Sequence, residues 1–330
     1  NLMAGRLEAD FGAVATLGLT LVNAHNGAGN RESFQGNPLK GVLTTGQLGR
    51  RLNKLIVRLS DDSPADAVGG PVLLGAAVEI TTALQREVPV AGGVKMVFKD
   101  TTFTGGSVGF APVIEGGEER GGFLRADGNE SIVLQYALAA EEGESEEGTL
   151  RLALQRALDL GLDEADDAIT RISNVRFRLV LANDYRVEVA SDRQNSRIGI
   201  PQFLTVARAD GNVQNQFNPR EVVFDYGLPT ASQIVGVSAE LRDVVGFDFY
   251  GEFNVSSQFR QFPSTVREEH RAFSGIAGDD HAVGWMFNMA RHVGSWRLFV
   301  EGFGMDDGYA TSFKPVDGRG LVDYSPEATD

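Results

Sequence analysis

Gly246-Phe-Asp-Phe-Tyr-Gly-Glu-Phe-Asn-Val-Ser-Ser-Gln-Phe-Arg-Gln-Phe262 is the stretch of sequence that decides the fold class. Its odd-numbered positions are mostly aromatic or apolar, and its even-numbered positions are polar or charged. A period of two is typical of a β-strand, whose side chains point alternately to opposite faces. A strand of this length, aromatic on one face and charged on the other, suits a membrane crossing within a β-barrel.

Two other regions repeat this alternation, so the strand belongs to a set. Residues 2–23 predict one long hairpin and residues 282–305 predict another. A third is predicted where Val235 to Arg242 turns through Asp243 and Val244 into the strand quoted above. Barrel strands need about 9–11 residues to cross a membrane, and they carry aromatic residues near their ends. The strands of sufficient length are 2–11, 14–23, 246–260, 282–290 and 296–305, and the aromatic residues near strand ends or turns are Phe262, Trp285, Trp296, Tyr309 and Phe313.

The alternative to a membrane strand is one face of a soluble antiparallel sheet packed on a core. Short turns on one side of the hairpins and long polar loops on the other favour the membrane interpretation. Three hairpins cannot close a barrel by themselves, since the smallest such barrels have about eight strands. We therefore expect the chain to be a piece of a longer protein that supplies the missing strands.

The middle of the chain predicts a β-sandwich of short strands separated by Gly, Pro and Asp turns. Val72 to Thr82 is one such strand, and residues 149–160 have the apolar spacing of a helix. The strands Val175–Leu181 and Tyr185–Val189 are joined by Asn-Asp turn chemistry, so we expect them to pair as a hairpin.

These patterns give an all-β fold with at most one or two short helices. The antiparallel sandwich, jelly-roll-like in character, is flanked by long amphipathic hairpins of barrel type. The predicted domains are a barrel-type hairpin at 1–26, the β-sandwich at 39–200, further strands with two barrel-type hairpins at 201–313, and a tail at 314–330.

Composition excludes several classes of function. Thirty basic and 45 acidic residues give a net charge of −15, which argues against nucleic-acid binding because nothing offsets phosphate repulsion. The chain has no cysteine, so disulfides, thiolate metal sites and thiol nucleophiles are excluded. No apolar run reaches the length of a transmembrane helix.

Two acidic loops are candidates for calcium, which takes oxygen ligands of this kind. The first loop carries Asp61, Asp62 and Asp66 directly after a predicted strand, and the second spans Asp163 to Asp167. Neither has the ligand spacing of a calcium-binding hand, so a solvated turn or helix cap is the alternative for both. We prefer the first loop, and calcium is the only cofactor predicted.

Asn183, Asp184 and Tyr185 are the candidate ligand-binding residues. Loops at the end of a sandwich can bind sugars through a stacked aromatic ring and side-chain amides or carboxylates, and a plain turn is the alternative. No catalytic residue is predicted. Gly105-Gly-Ser-Val-Gly109 matches a nucleophile elbow in form, but Pro112 follows where the elbow requires a helix.

Four segments together resemble a family of very large outer-membrane-type proteins of environmental bacteria. They are Asn37-Pro-Leu-Lys-Gly-Val-Leu-Thr44, Val57-Arg-Leu-Ser-Asp-Asp-Ser-Pro64, Val180-Leu-Ala-Asn-Asp-Tyr-Arg-Val187 and Phe247-Asp-Phe-Tyr-Gly-Glu-Phe253. The resemblance implies an envelope protein with a sandwich inserted between barrel-type hairpins. Ile172 to Val189 is also similar to galactose-binding-type jelly rolls, which often bind carbohydrate.

The leading hypothesis is a non-enzymatic protein of the bacterial cell envelope. Part of it would belong to an outer-membrane barrel, and its sandwich, in the periplasm or at the surface, would bind glycan or another envelope protein. One alternative is a soluble secreted carbohydrate-binding module of a larger polysaccharide-active protein. Another is a polysaccharide-active enzyme whose site the sequence does not reveal.

Overall fold

The structure is a computed structural model. It describes residues 2–26, 38–41, 43, 51–90, 93–141, 143–195, 200–263, 279–306 and 309. Most of these residues lie in antiparallel strands, which confirms the predicted all-β, sandwich-like fold. The predicted tail at 314–330, with Phe313, lies outside the described residues.

The strands and helices are numbered here in chain order. The strands are β1 (Leu2–Phe11), β2 (Ala15–His25), β3 (Lys54–Ser60), β4 (Val72–Val90), β5 (Gly93–Thr104), β6 (Val113–Gly116), β7 (Glu118–Arg120), β8 (Phe123–Arg125), β9 (Ser131–Ala137), β10 (Ile172–Ala182), β11 (Arg186–Ser191), β12 (Leu204–Arg208), β13 (Arg220–Asp225), β14 (Leu228–Val244), β15 (Phe247–Gln261), β16 (Asp279–Val293) and β17 (Trp296–Met305), and the helices are α1 (Leu150–Leu158) and α2 (Leu162–Thr170).

One of two compact units is a six-stranded sheet with the order β1-β2-β14-β15-β16-β17. The predicted hairpins at both ends of the chain are present, because β1 pairs with β2 and β16 pairs with β17. The alternating stretch at residues 246–262 forms β15. Backbone with positive φ makes the tight turns, at Gly12 (64°), Gly246 (79°) and Gly294 (60°), where glycine avoids the strain of a side chain.

The other unit is the β-sandwich. One sheet has the order β13-β10-β4-β8-β7, with β5 also paired to β4, and the other has the order β12-β11-β3-β9-β6. The strands β12 and β13 complete these two sheets, so the sandwich continues past residue 200 to Leu228.

Alternating apolar residues of both sheets fill the sandwich core. Leu55, Val57 and Leu59 of β3 are fully buried, as the period of two requires. The rings of Tyr136 and Phe177 meet at 5.1 Å between their centroids, which joins the two sheets. Each fully buried side chain of this size contributes about 1.5–3 kcal/mol to folding.

The predicted hairpin between residues 175–181 and 185–189 is wrong. β10 pairs with β4 and β13, whereas β11 pairs with β3 and β12, so the two strands lie in different sheets. Asn183 has a φ of 69° and turns the chain from one layer into the other. Asn-Asp chemistry signals a reversal of the chain, but burial on both strands decides which partners they take.

The helical region contains two short helices, within the one or two that the sequence predicted. α1 matches the predicted segment, and the side chain of Thr149 accepts a hydrogen bond from the backbone N–H of Leu152 at 3.2 Å, as an N-cap does. α2 occupies the acidic segment 163–167, which the sequence presented as a loop. Its Ala165, Ala168 and Ile169 face the core, and Asp163 and Glu164 lie in its first turn, where the helix dipole favours negative charge.

Candidate functional site

The predicted calcium loop (Asp61, Asp62 and Asp66) and the predicted ligand-binding loop (Asn183, Asp184 and Tyr185) are neighbours at one end of the sandwich. Ser60, the last residue of β3, pairs with Arg186, the first residue of β11, so the loops beside them are neighbours. Burial raises the pKa of Asp184, and the negative charge of the neighbouring Asp62 raises it further. The sequence did not predict that these two loops are neighbours, because they are far apart in the chain and come together only through the pairing of β3 with β11.

Asn183 holds this end of the sandwich together. Its side-chain N–H donates to the carbonyl oxygen of Gly70 at 3.3 Å, and its side-chain oxygen accepts from the backbone N–H of Gln216 at 2.7 Å. Its own backbone N–H donates to Asn218 Oδ1 at 2.7 Å. The crossing between the layers is thus tied to two separate loops by one buried side chain.

Asp184 and Tyr185 are buried beside Asn183. Asp184 is 2 % exposed, and its Oδ2 atom has no hydrogen-bond partner. Burial is the first cause that raises its pKa, and the nearby carboxylates add to it. The Tyr185 side chain is fully buried, and burial raises the pKa of its hydroxyl too. The ring is covered by protein, so ligand binding by Asn183, Asp184 and Tyr185 stays a prediction.

Each of the three aspartates predicted to bind calcium contacts a residue outside its own loop. Asp61 is buried and accepts from the backbone N–H groups of Ser63 and Gly128, both at 2.9 Å. Asp62 forms an ion pair with Arg208 at 2.8 Å. Asp66 accepts hydrogen bonds from the side chains of Asn212 and Gln214, and the bond from Asn212 is the first cause that lowers its pKa.

This arrangement gives the acidic loop a structural task. Among the residues that the structure describes, no three His, Cys, Asp or Glu side chains form a group that could hold a metal ion. The calcium prediction for Asp61, Asp62 and Asp66 therefore stays a prediction. The partner Arg208 was not singled out from the sequence, because its ion pair forms between residues distant along the chain.

The sandwich also has a cleft of about 160 Å³ between β4 and the two helices. Leu84, Leu158 and Leu160 line it together with the carboxylates of Glu164 and Asp167. Apolar walls with a few polar groups are common in binding clefts, although the volume is below the usual range for a small-molecule site, about 300 Å³ or more.

The six-stranded sheet separates apolar and polar side chains onto opposite faces. Cross-strand pairs place Leu7, Leu19 and Val237 side by side on one face. Phe253 of β15 and Trp285 of β16 form another cross-strand pair on this face. We call this the apolar face. Its exposed large residues, each between 36 % and 77 % exposed, are Met3, Leu7, Phe11, Leu17, Leu19, Val237, Leu241, Phe249, Phe253, Trp285, Phe287, Val293, Trp296, Leu298 and Val300.

Two glycines of β17 lie under aromatic rings on the apolar face. A Cβ atom at Gly302 would lie 2.5 Å from the Phe287 ring, and one at Gly304 would lie 2.7 Å from Trp285. The two rings stack, with centroids 6.1 Å apart. An aromatic residue that covers a cross-strand glycine fixes the register of a pair and restores the packing that glycine lacks.

The opposite face, which we call the polar face, carries a chain of hydrogen bonds. Arg6 Nε donates to Glu8 Oε1 at 2.7 Å, and Arg6 Nη2 donates to Ser238 Oγ at 3.4 Å. On β15, Tyr250 Oη and Asn254 Nδ2 both donate to Glu252, each at 2.8 Å. Toward the last strand this face becomes apolar again, with Phe299 and Phe303 exposed, as its half-polar sequence predicts.

The apolar face ends in polar residues on the side away from the tight turns. Asn23 pairs with Gln233 across β2 and β14, and their side chains are hydrogen-bonded at 3.3 Å. Ser257 Oγ and His281 Nδ1 lie 2.8 Å apart across β15 and β16. On the turn side, the guanidinium of Arg291 stacks over Phe247 at 4.5 Å. The apolar band therefore has a polar edge on the side away from the tight turns, and one arginine close to its turn end.

The functional assignment has to be argued from these surfaces, because comparison with protein families and with curated proteins provides none. No protein-family model matches the chain, and no curated protein matches it significantly. In the part of the chain that the structure describes, neither helix has the length and apolar character needed to cross a membrane.

Proposed function

We propose that the protein belongs to a bacterial outer membrane, where the six-stranded sheet forms part of the wall of a β-barrel. The sandwich is then a domain that binds glycan or another protein, and the protein is not an enzyme. The observation that carries the proposal is the exposed apolar face of the sheet.

The size of the apolar face supports a membrane environment. Large side chains at roughly half exposure, with about 150–250 Å² for each aromatic, leave on the order of 1,000 Å² of apolar surface in contact with solvent. The largest apolar patch on a typical soluble monomer is about 300–600 Å². A sheet with this face in water would be prone to association, whereas lipid covers it without a second protein layer.

The height of the apolar band supports the same environment. On β16 the band runs from Val283 to Val293, about ten steps of roughly 3.3 Å, or about 33 Å along the strand. A tilt of about 40° reduces this to about 25 Å, which is the height of the apolar band of outer-membrane barrels. Arg291 lies at the turn end of the band, where a long cationic side chain can reach the membrane surface.

The polar face is suited to the interior of such a barrel. Arg6, Glu8 and Glu252 carry charges that lipid would not accept, and they pair with each other or with neighbouring hydroxyl and amide groups. Apolar residues toward the lipid and polar residues toward the lumen alternate along every strand of an outer-membrane barrel. The hydrogen-bonded chain from β1 to β15 follows this rule.

Membrane fractionation of the natural full-length protein tests the proposal. We expect it to remain in the outer-membrane fraction after alkaline carbonate and urea washes, and to migrate faster on a gel before heating than after. Release into the soluble fraction would refute membrane insertion and would favour a secreted carbohydrate-binding module. A polysaccharide array probed with the purified protein then separates glycan binding from protein binding by the sandwich.

A further inference from the structure

The three tight turns of the six-stranded sheet all lie at the same end of its strands. Neighbouring strands of the sheet run in opposite directions, so the ends of β1, β14 and β16 point the same way. The turns at Gly12, Gly246 and Gly294 follow these three strands. Every tight turn of the sheet therefore lies at what we call the turn edge.

All the long connections of the sheet leave from the opposite edge. The chain between β2 and β14 contains the whole sandwich, and residues 262–278 connect β15 to β16. The sheet thus has its tight turns at one end of the strands and its long connections at the other. In bacterial outer-membrane barrels the short turns face the periplasm and the longer connections face the medium.

We infer that the sandwich is displayed on the outer surface of the cell. The inference rests on the proposed membrane location. It decides between the periplasm and the cell surface, the two places that the leading hypothesis left open for the sandwich. The partner of the sandwich is then an extracellular molecule, either a glycan or a protein outside the outer membrane. Partners confined to the periplasm, such as peptidoglycan or periplasmic chaperones, are excluded by the same step.

The absence of cysteine from the sequence makes a labelling experiment direct. Glu144→Cys places a thiol in an exposed loop of the sandwich, and Val14→Cys and Ser295→Cys place thiols in exposed turns at the turn edge. Each variant of the full-length protein is produced in a Gram-negative host. Intact cells are treated with a polymer-linked maleimide too large for porins, with and without permeabilisation of the outer membrane.

We expect Glu144→Cys to react fully on intact cells, and both turn variants to react only after permeabilisation. Labelling of the turn variants on intact cells, with protection of Glu144→Cys, would overturn the inference and place the sandwich in the periplasm. Carbonate-resistant fractionation of the same samples shows whether the membrane location itself holds. If all three variants fractionate as soluble protein, the proposed function fails and the inference fails with it.

Discussion

Leu19→Arg tests whether the apolar face contacts lipid. Leu19 lies in the middle of the apolar band, is 48 % exposed, and pairs with Leu7 and Val237 on either side. An arginine on the lipid side of a barrel near the bilayer midplane costs about 2–4 kcal/mol. The same substitution on a water-exposed sheet surface changes the free energy of unfolding by about 0.5 kcal/mol or less. The two environments therefore predict effects that differ several-fold.

The assay is equilibrium folding of the full-length protein in phosphatidylcholine vesicles, followed by urea titration. We expect the Leu19→Arg variant to be destabilised by about 2–4 kcal/mol, a reduction of the folding equilibrium constant by about thirtyfold to a thousandfold. Asn288→Arg is the matched control, because Asn288 lies on the polar face at a similar distance from its turn. Leu19→Gln separates loss of the leucine from gain of the charge. Equal effects of the two arginine variants would refute the assignment of the faces.

Three further predictions concern local structure. Gly302→Val should destabilise the sheet by about 1–3 kcal/mol through contact with the Phe287 ring, and Phe287→Ala in the same chain should relieve most of that loss in a double-mutant cycle. Asn183→Ala should destabilise the sandwich by about 2–4 kcal/mol in urea unfolding, whereas Asn183→Gly, which tolerates positive φ, should lose less. Because burial raises the pKa of Asp184, its native state binds the proton more tightly, so its ionisation costs stability as pH rises from the unfolded value near 4 through the raised pKa. Asp184→Asn should therefore be more stable than the natural protein at pH 7, with a gap that narrows toward pH 4; a constant gap would contradict a raised pKa.

Period-two alternation was sufficient to predict the long strands of the six-stranded sheet. In β15 every phenylalanine occupies an odd-numbered position, so a slip of the register by one residue would move all of them to the opposite face. The pairings followed from adjacent strands and tight glycine turns. The pairing of β14 with β2 needed the structure, because the two strands are far apart in sequence and no local signal identifies the partner.

The sandwich was predictable as a class and less so in its connections. Short buried strands predicted two layers, but the hairpin expected at Asn183 proved to be a crossing between them. The helix α2 was missed because five acidic or small residues in a row have the composition of a loop, and its three buried positions are visible only against the core. Asp184 and Asp62 are neighbours because β3 pairs with β11, and no pattern of residue spacing in the sequence predicts that pairing.

The insertion of the sandwich into the sheet is explained by how the chain leaves and returns. Thr230 Oγ1 donates to the carbonyl oxygen of Lys40 at 2.7 Å, so the chain before the sandwich lies beside the chain after it. The approach is so close that a Cβ atom at Gly41 would lie 2.2 Å from the carbonyl oxygen of Thr230. Pairing β2 with β14 across a flexible connection of about two hundred residues would cost about 5 kcal/mol in loop-closure entropy. A folded domain whose ends are held together removes most of this cost, because it behaves as a short loop. The sheet can therefore carry a large domain in one connection without weakening the pairing of β2 with β14.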